Sequence, residues 1–113
     1  MPHCTIEYSN SLSDSLSPEI FMNAVFDAAL SSELFQRSAI KVRAMPYSYY
    51  LIGAPEHEQF LHVNLKILSG RTTDQKSMLS SQVFEALLAL NITNTSITVE
   101  ISDLDKESYS RNI

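Results

Sequence analysis

Alternating hydrophobic and polar residues predict four β-strands. Cys4, Ile6 and Tyr8 fall on one face of the first segment and polar residues fall on the other, which is the period of two that marks a strand with one buried face. The segments with this pattern are residues 2–8, 39–45, 60–68 and 96–102. A long connection rich in proline and tyrosine follows the second strand, and within it we expect a short strand at Tyr49–Ile52.

Two further segments repeat hydrophobic residues at intervals of three and four, which predicts amphipathic helices. The first begins with Ser-Pro-Glu at residues 17–19 and ends near Ser31. Serine can cap free amides there, proline fits the first turn, and glutamate favours the positive end of the helix dipole. The second begins with a capping box at residues 72–75 and ends near Asn91.

The order of these elements predicts the fold. A β-α-β unit at residues 2–45 is followed by a second at residues 60–102, and such crossovers are right-handed. Two joined units give a four-stranded mixed sheet with both helices on one face. We therefore predict an α+β, two-layer sandwich that forms a single domain over residues 1–113. The polar segment 103–113 is expected to fray unless a partner chain holds it.

Composition and charge narrow the classes of function. Hydrophobic residues make up 44% of the chain and charged residues 19%, as in globular domains rather than disordered proteins. Eight basic and thirteen acidic residues give a net charge of −5, so nucleic acid is not an expected partner. The sequence has no secretory signal and no apolar run near the roughly 20 residues that span a bilayer. A single cysteine agrees with a reducing compartment, so we expect a cytoplasmic protein without membrane association.

The second residue is the first candidate for chemistry. Pro2 follows the initiator methionine, and removal of Met1 would leave a free secondary amine. An α-amino group has a pKa of about 7.7–8.0, which burial or nearby cations lower. A neutral amine could take a proton from a carbon beside a carbonyl and return it to another carbon. The alternative is that a proline at this position has no chemical role.

Several cations could join Pro2 in a site. Lys41 and Arg43 lie on the second predicted strand and Arg71 follows the third, so they could converge if the first strand lies beside the third. Guanidinium groups bind carboxylates bidentately and stabilise enolate charge. His3 could orient a substrate, although a single histidine also suits a surface or packing role. Surface solvation is the alternative for each cation, and we expect no metal and no cofactor.

The open face of the sheet indicates self-association. It combines charged residues with apolar ones, and a two-layer sandwich of this size would be stabilised by burying that face against other subunits. We therefore expect an oligomer.

Several motifs together resemble those of one enzyme family. They are Pro2-His3 at the start of a strand, Glu7 within it, a basic pair in the second strand, and the block H-x-x-L-K-I-x-x-G-R at residues 62–71. The chain resembles the 5-carboxymethyl-2-hydroxymuconate isomerase family of the tautomerase superfamily in these features. The resemblance spans roughly residues 2–102.

The resemblance implies a tautomerase-like fold, a homotrimer with sites near subunit boundaries, and Pro2 as the catalytic base. It also implies that Arg71 holds a substrate carboxylate or polarises a carbonyl. The arginine of the family's second strand aligns with Lys41, and Arg43 lies two residues further on. Because lysine cannot form a bidentate clamp, the expected substrate is a small unsaturated carboxylate rather than one named compound.

The leading hypothesis is a cofactor-free isomerase that moves a proton within an unsaturated 2-hydroxy or 2-oxo acid. A second hypothesis is a non-catalytic oligomeric protein that binds small carboxylates and keeps the same fold. A third keeps the superfamily's chemistry but uses the proline in hydration, dehalogenation or decarboxylation, since the shape of the pocket decides among these reactions.

Overall fold

The computed structural model describes residues 1–113. Six main elements follow one another along the chain: β1 (Pro2–Ser9), α1 (Pro18–Ser31), β2 (Lys41–Tyr47), β3 (Gln59–Leu68), α2 (Thr73–Leu88) and β4 (Thr95–Leu104). The strands form one sheet in the order β2-β1-β3-β4. β1 is parallel to β2 and antiparallel to β3, and β3 is parallel to β4. The predicted α+β sandwich with a mixed four-stranded sheet is confirmed.

The core lies between the sheet and the two helices. Cys4, Ile6 and Tyr8 are buried, as the alternation along β1 predicts. The other large contributors come from α1, β3 and α2: Phe21, Val25, Leu61, Val63, Leu65, Ile67, Leu79, Val83 and Leu87. Burying each such side chain stabilises the fold by about 1.5–3 kcal/mol. Neither helix has the length and apolar character that crossing a bilayer requires.

The two helix starts differ in how they are capped. The predicted capping box is present, because the Thr72 hydroxyl accepts from the Gln75 amide at 3.1 Å and the Gln75 side chain accepts from the Thr72 amide at 2.9 Å. The predicted cap by Ser17 is wrong, because its hydroxyl donates to the Glu19 carboxylate and makes no cap bond. A carboxylate two residues away competes with the backbone for this side chain. α2 ends at Leu88, slightly earlier than predicted.

Two strand predictions needed correction. β2 begins at Lys41 rather than at residue 39, because Arg37–Ala39 form a single 3₁₀ turn. The short strand expected at Tyr49–Ile52 is absent. β2 forms the edge of the sheet, so this segment has no neighbouring strand with which to pair, and Leu51 is fully exposed.

The carboxyl-terminal segment is held within the chain, which contradicts the expectation that it frays without a partner. β4 continues to Leu104, and the tail (residues 105–113) then turns, with the Ser108 amide donating to the Asp105 carbonyl at 3.2 Å. The tail returns across the sheet to Tyr109, whose hydroxyl lies 2.6 Å from Nε2 of His3. Hydrogen bonds within the chain thus hold the tail without the partner chain that its polarity indicated.

Candidate active site

The amino end of the chain is fixed inside the sheet. β1 is flanked on both sides, and Pro2 pairs with Ile67 of β3. Pro2 is fully buried and Met1 is only 7% exposed. The first strand therefore lies beside the third, which is the condition for the cations to converge on Pro2.

Three cations act on the terminal amine. Burial is the largest cause that lowers the pKa of the Met1 amino group, followed by the charges of Arg111, Lys41 and Arg71. Burial and like charges both disfavour an ammonium ion. The structure thus brings Lys41 and Arg71 to the amino end, as predicted, and adds Arg111, which the sequence analysis did not identify.

Lys41 is placed by the first position of β2. Its Cα pairs with that of His3 in the parallel register. The ammonium group lies 3.6 Å from Sδ of Met1 and 3.5 Å from the Ala39 carbonyl oxygen. The Lys41 side chain therefore extends along the start of β1.

Arg71 is placed by the turn between β3 and α2. Gly70 has φ +117°, a conformation that glycine adopts without the strain a side chain would cause. The Arg71 guanidinium donates to the Leu34 carbonyl at 2.5 Å and lies 5.8 Å from the centre of the Phe35 ring. The connection between α1 and β2 thus fixes the direction of this side chain.

Arg43 has a different position from Lys41. Its guanidinium donates to Nδ1 of His3 at 3.2 Å, and because a guanidinium can only donate, Nε2 of His3 carries the proton and donates to the Tyr109 hydroxyl. Burial, and then the charge of Arg43, lower the pKa of His3. Arg43 is not among the charges that lower the pKa of the amine. Of the two predicted second-strand cations, Lys41 faces the amine and Arg43 holds His3.

The site cations carry no internal counter-ion. The two salt bridges of the chain join Lys76 to Asp103 and His62 to Glu100, so Lys41, Arg43 and Arg71 pair with no carboxylate. Unpaired cations at a buried amine are suited to attract an anion, and both burial and like charges favour the uncharged form of the amine.

Access to Pro2 is closed while Met1 is attached. None of the surface clefts is lined by Met1, Pro2 or Lys41. Two clefts include a predicted site cation: one of about 410 Å³ includes Arg71, and one of about 280 Å³ includes Arg43. The second lies along β1 and β2, from Thr5 to Glu7 and from Arg43 to Met45.

Comparison with known proteins identifies the family. The sequence model of one family, 5-carboxymethyl-2-hydroxymuconate isomerase, matches residues 2–112. The chain belongs to the 5-carboxymethyl-2-hydroxymuconate isomerase family. Membership confirms the resemblance and places the chain among the isomerases. The match also extends beyond residues 2–102 and includes most of the tail, so Tyr109 and Arg111 lie within the family's extent.

Solved structures share the fold of this family. A 5-carboxymethyl-2-hydroxymuconate delta-isomerase has a TM-score of 0.81 at 22% identity, over 100% of this chain and 88% of the other. The 5-carboxymethyl-2-hydroxymuconate isomerase of Deinococcus radiodurans has a TM-score of 0.80 at 23% identity, over 98% and 88%. A fused 4-OT symmetric trimer has a TM-score of 0.80 at 16% identity, over 97% and 91%. Among curated proteins, none matches the chain by sequence.

The tail residues were missed because their signal was weak. An aromatic residue and a cation two positions apart, Tyr109 and Arg111, stand out only slightly in a polar segment. Hydrophobic periodicity does not reach them, and no regular element follows β4.

The hydrogen bonds of His3 predict how its imidazole titrates. Arg43→Met should raise the pKa of His3, because the largest charge that disfavours the imidazolium is removed. Lys66→Met is the matched control and should raise it less, since Lys66 is the weakest of the charges acting on His3. Nuclear magnetic resonance of the ring nitrogens measures both values. An unchanged or lowered pKa in Arg43→Met would contradict the contact between the two side chains.

Proposed function

We propose that this member of the family is a cofactor-independent isomerase that moves a proton within a small unsaturated 2-hydroxy or 2-oxo carboxylic acid. Pro2, freed by removal of Met1, is the general base. The observation that carries the proposal is the buried amino end next to unpaired cations, where burial and then nearby positive charges lower the pKa of the Met1 amine. Pro2 takes the place of Met1 as the chain end when Met1 is removed. A base that is neutral near pH 7 can accept a proton from carbon.

The proposed reaction needs no other reactant. The Pro2 nitrogen takes a proton from the carbon next to the carbonyl of a 2-oxo acid, or from the enol hydroxyl of a 2-hydroxy acid. The electron pair of the broken bond leaves the negative charge on the oxygen of an enolate or dienolate. The protonated amine then returns the proton to a different carbon while the carbonyl re-forms. The amine ends as it began, and no electrons are gained or lost.

The cations have separate roles in this proposal. Arg71 holds a substrate carboxylate or polarises the carbonyl, because its guanidinium can donate two parallel hydrogen bonds. Lys41 stabilises the negative charge that develops in the dienolate, and its action on the amine supports this role over Arg43. Arg43 orients His3, which contributes to the substrate-binding surface beside Pro2.

The substrate class follows from the family and from Lys41. 5-Carboxymethyl-2-hydroxymuconate, an intermediate of aromatic catabolism, is the compound for which the family is named. Lys41 stands at the position of a family arginine and cannot bind a carboxylate bidentately. We therefore expect a substrate that needs no bidentate contact at this position. Membership in a family of isomerases disfavours the non-catalytic carboxylate-binding hypothesis.

The assembly we propose is a homotrimer with sites near its subunit boundaries, in the cytoplasm. The open face of the sheet carries Met45, which is 61% exposed, and one neighbour of the same fold is a symmetric trimer. The buried, unpaired Cys4 suits a reducing compartment.

Retention of Met1 should abolish turnover. The protein is produced with and without inhibition of methionine removal, so that both samples have one coding sequence and differ by one residue in intact mass. We expect ketonisation of 2-hydroxymuconate and phenylenolpyruvate, followed by ultraviolet absorbance, to fall by at least about 100-fold when Met1 is retained. Equal rates in the two samples would exclude Pro2 as the base.

Arg71→Ala, which removes the guanidinium, should lower kcat/KM by about 10²–10³-fold, because the negative charge that Arg71 stabilises is present in the transition state. Arg71→Lys should recover part of this loss. Arg37→Ala is the matched control, since Arg37 also lies over a phenylalanine ring, 4.9 Å from the centre of Phe26, but does not act on the amine. Equal losses in the two alanine variants would contradict the role of Arg71.

A charge on the open face should break the trimer. We expect sedimentation equilibrium of the unaltered protein to give three times the mass of one chain. Met45→Glu should shift this toward one chain because it places a carboxylate on the face that we propose is buried. Leu88→Glu, at an exposed position on α2, is the control and should leave the mass unchanged. A monomeric unaltered protein would overturn the proposed assembly.

A further inference from the structure

A cleft of about 410 Å³ lies at the end of β3, next to the start of β1. It is lined by Leu68, Ser69, Gly70, Arg71, Gln75 and Lys106. Ile67, the residue before Leu68, pairs with Pro2 in the antiparallel register. Because paired Cα atoms lie about 4.5–5.5 Å apart and consecutive ones about 3.8 Å apart, the cleft begins within about 10 Å of the Cα atom of Pro2.

Hydrogen bonds of the backbone and of the helix cap fix the walls of this cleft. The Ser69 amide donates to the Leu104 carbonyl at 3.0 Å, and the Lys106 amide donates to the Ser69 hydroxyl at 3.4 Å. These two bonds tie the start of the tail to the turn after β3. The capping box of α2 holds Gln75, whose side-chain oxygen accepts from the Thr72 amide at 2.9 Å. The fold thus fixes both the tail segment with Lys106 and the helix start with Gln75.

The polar side chains of the cleft offer hydrogen-bond donors. The oxygen of the Gln75 amide is occupied by the helix cap, so its NH₂ group is left to donate. The Ser69 hydroxyl accepts from the Lys106 amide and keeps its own proton for donation. Arg71 and Lys106 carry donors only. Arg71 donates to the Leu34 carbonyl, and since a guanidinium has five N–H groups, others remain.

No carboxylate neutralises the two cations of the cleft. None lines it, and the salt bridges of the chain include neither Arg71 nor Lys106. The carboxylate of Asp105 accepts instead from the Glu107 amide and the Ser108 hydroxyl, both at 3.1 Å. The cleft is therefore a donor-rich, positively charged place in an acidic chain, which suits a carboxylate ligand.

We propose that Lys106, together with Arg71 and Gln75, binds a second carboxylate of the substrate, so that Lys106 determines a preference for dicarboxylates over monocarboxylates. The inference deepens the proposed function and rests on it, because it places the reacting end of the substrate at Pro2 and the remote carboxylate in the cleft. Of the two roles open to Arg71, the cleft favours holding a carboxylate. Lys106 contacts the substrate but takes no part in the proton transfer.

The binding test uses two unreactive ligands that differ in one group. Muconate carries a carboxylate at each end of a six-carbon diene, whereas sorbate has a methyl group at one end. Isothermal titration calorimetry measures both affinities for the processed protein, as the unaltered chain and as Lys106→Gln, Lys106→Arg and Lys76→Gln. We expect Lys106→Gln to weaken muconate binding by about tenfold, as for the loss of one charge-assisted hydrogen bond, and to leave sorbate binding unchanged.

Two further variants are the controls. Lys106→Arg keeps the positive charge and should retain the affinity for muconate. Lys76→Gln removes a lysine from the start of α2, but Lys76 does not line the cleft and pairs with Asp103 at 3.3 Å. It should leave both affinities unchanged.

Turnover gives a second readout. A remote carboxylate is bound equally in the ground state and in the transition state, so Lys106→Gln should raise KM for 2-hydroxymuconate, a dicarboxylate, by about tenfold and leave kcat nearly unchanged. The kinetics of phenylenolpyruvate, a monocarboxylate, should not change. A purely structural role of Lys106 would instead lower the turnover of both substrates.

Three results would overturn the inference. The first is an unaltered protein that binds muconate no more tightly than sorbate. The second is an affinity for muconate that Lys106→Gln leaves unchanged or that Lys76→Gln lowers equally, and the third is an equal loss for both ligands in Lys106→Gln. Because binding needs no turnover, a processed protein that binds muconate through Lys106 but isomerises neither substrate would refute the proposed function and still support the carboxylate site.

Discussion

The pairing of β1 with strands on both sides is the constraint on which the site depends. Terminal residues of most domains are poorly ordered, but here the first residues of the chain form an inner strand between β2 and β3. Ladder hydrogen bonds on both edges and the buried side chains of Cys4 and Ile6 hold this strand in one register. That register fixes the direction of the amine and the neighbours it meets.

The electrostatics of the site differ from those of the whole chain. The net charge is −5, yet the amino end is surrounded by cations from three separate segments and by no carboxylate. An acidic protein can therefore attract a small anion at one place while its surface as a whole repels a polyanion. The two effects act at different distances, because salt screens charges beyond about 10 Å.

The fold was largely predictable from sequence, whereas the site was only partly so. Hydrophobic periodicity predicted the strands and helices, because an element that buries one face has hydrophobic residues at regular intervals along that face. The segment Tyr49–Ile52 has strand-forming residues but no neighbouring strand. The presence of a neighbour depends on the order of strands in the sheet, which the local sequence pattern does not reveal. Lys41 and Arg71 could be predicted from their places next to strands. Tyr109 and Arg111 could not, because a long-range contact in an irregular segment leaves no periodic signal.

The burial of Met1 has a consequence for when the protein matures. An aminopeptidase needs an extended, accessible chain end, and the folded chain presents a first residue that is 7% exposed and lies against Lys41. The proposed role of Pro2 therefore requires cleavage of Met1 while the nascent chain is still emerging from the ribosome, before β3 has been synthesised and can pair with β1. The order of synthesis, in which β1 comes first and its partners later, provides the interval for this step.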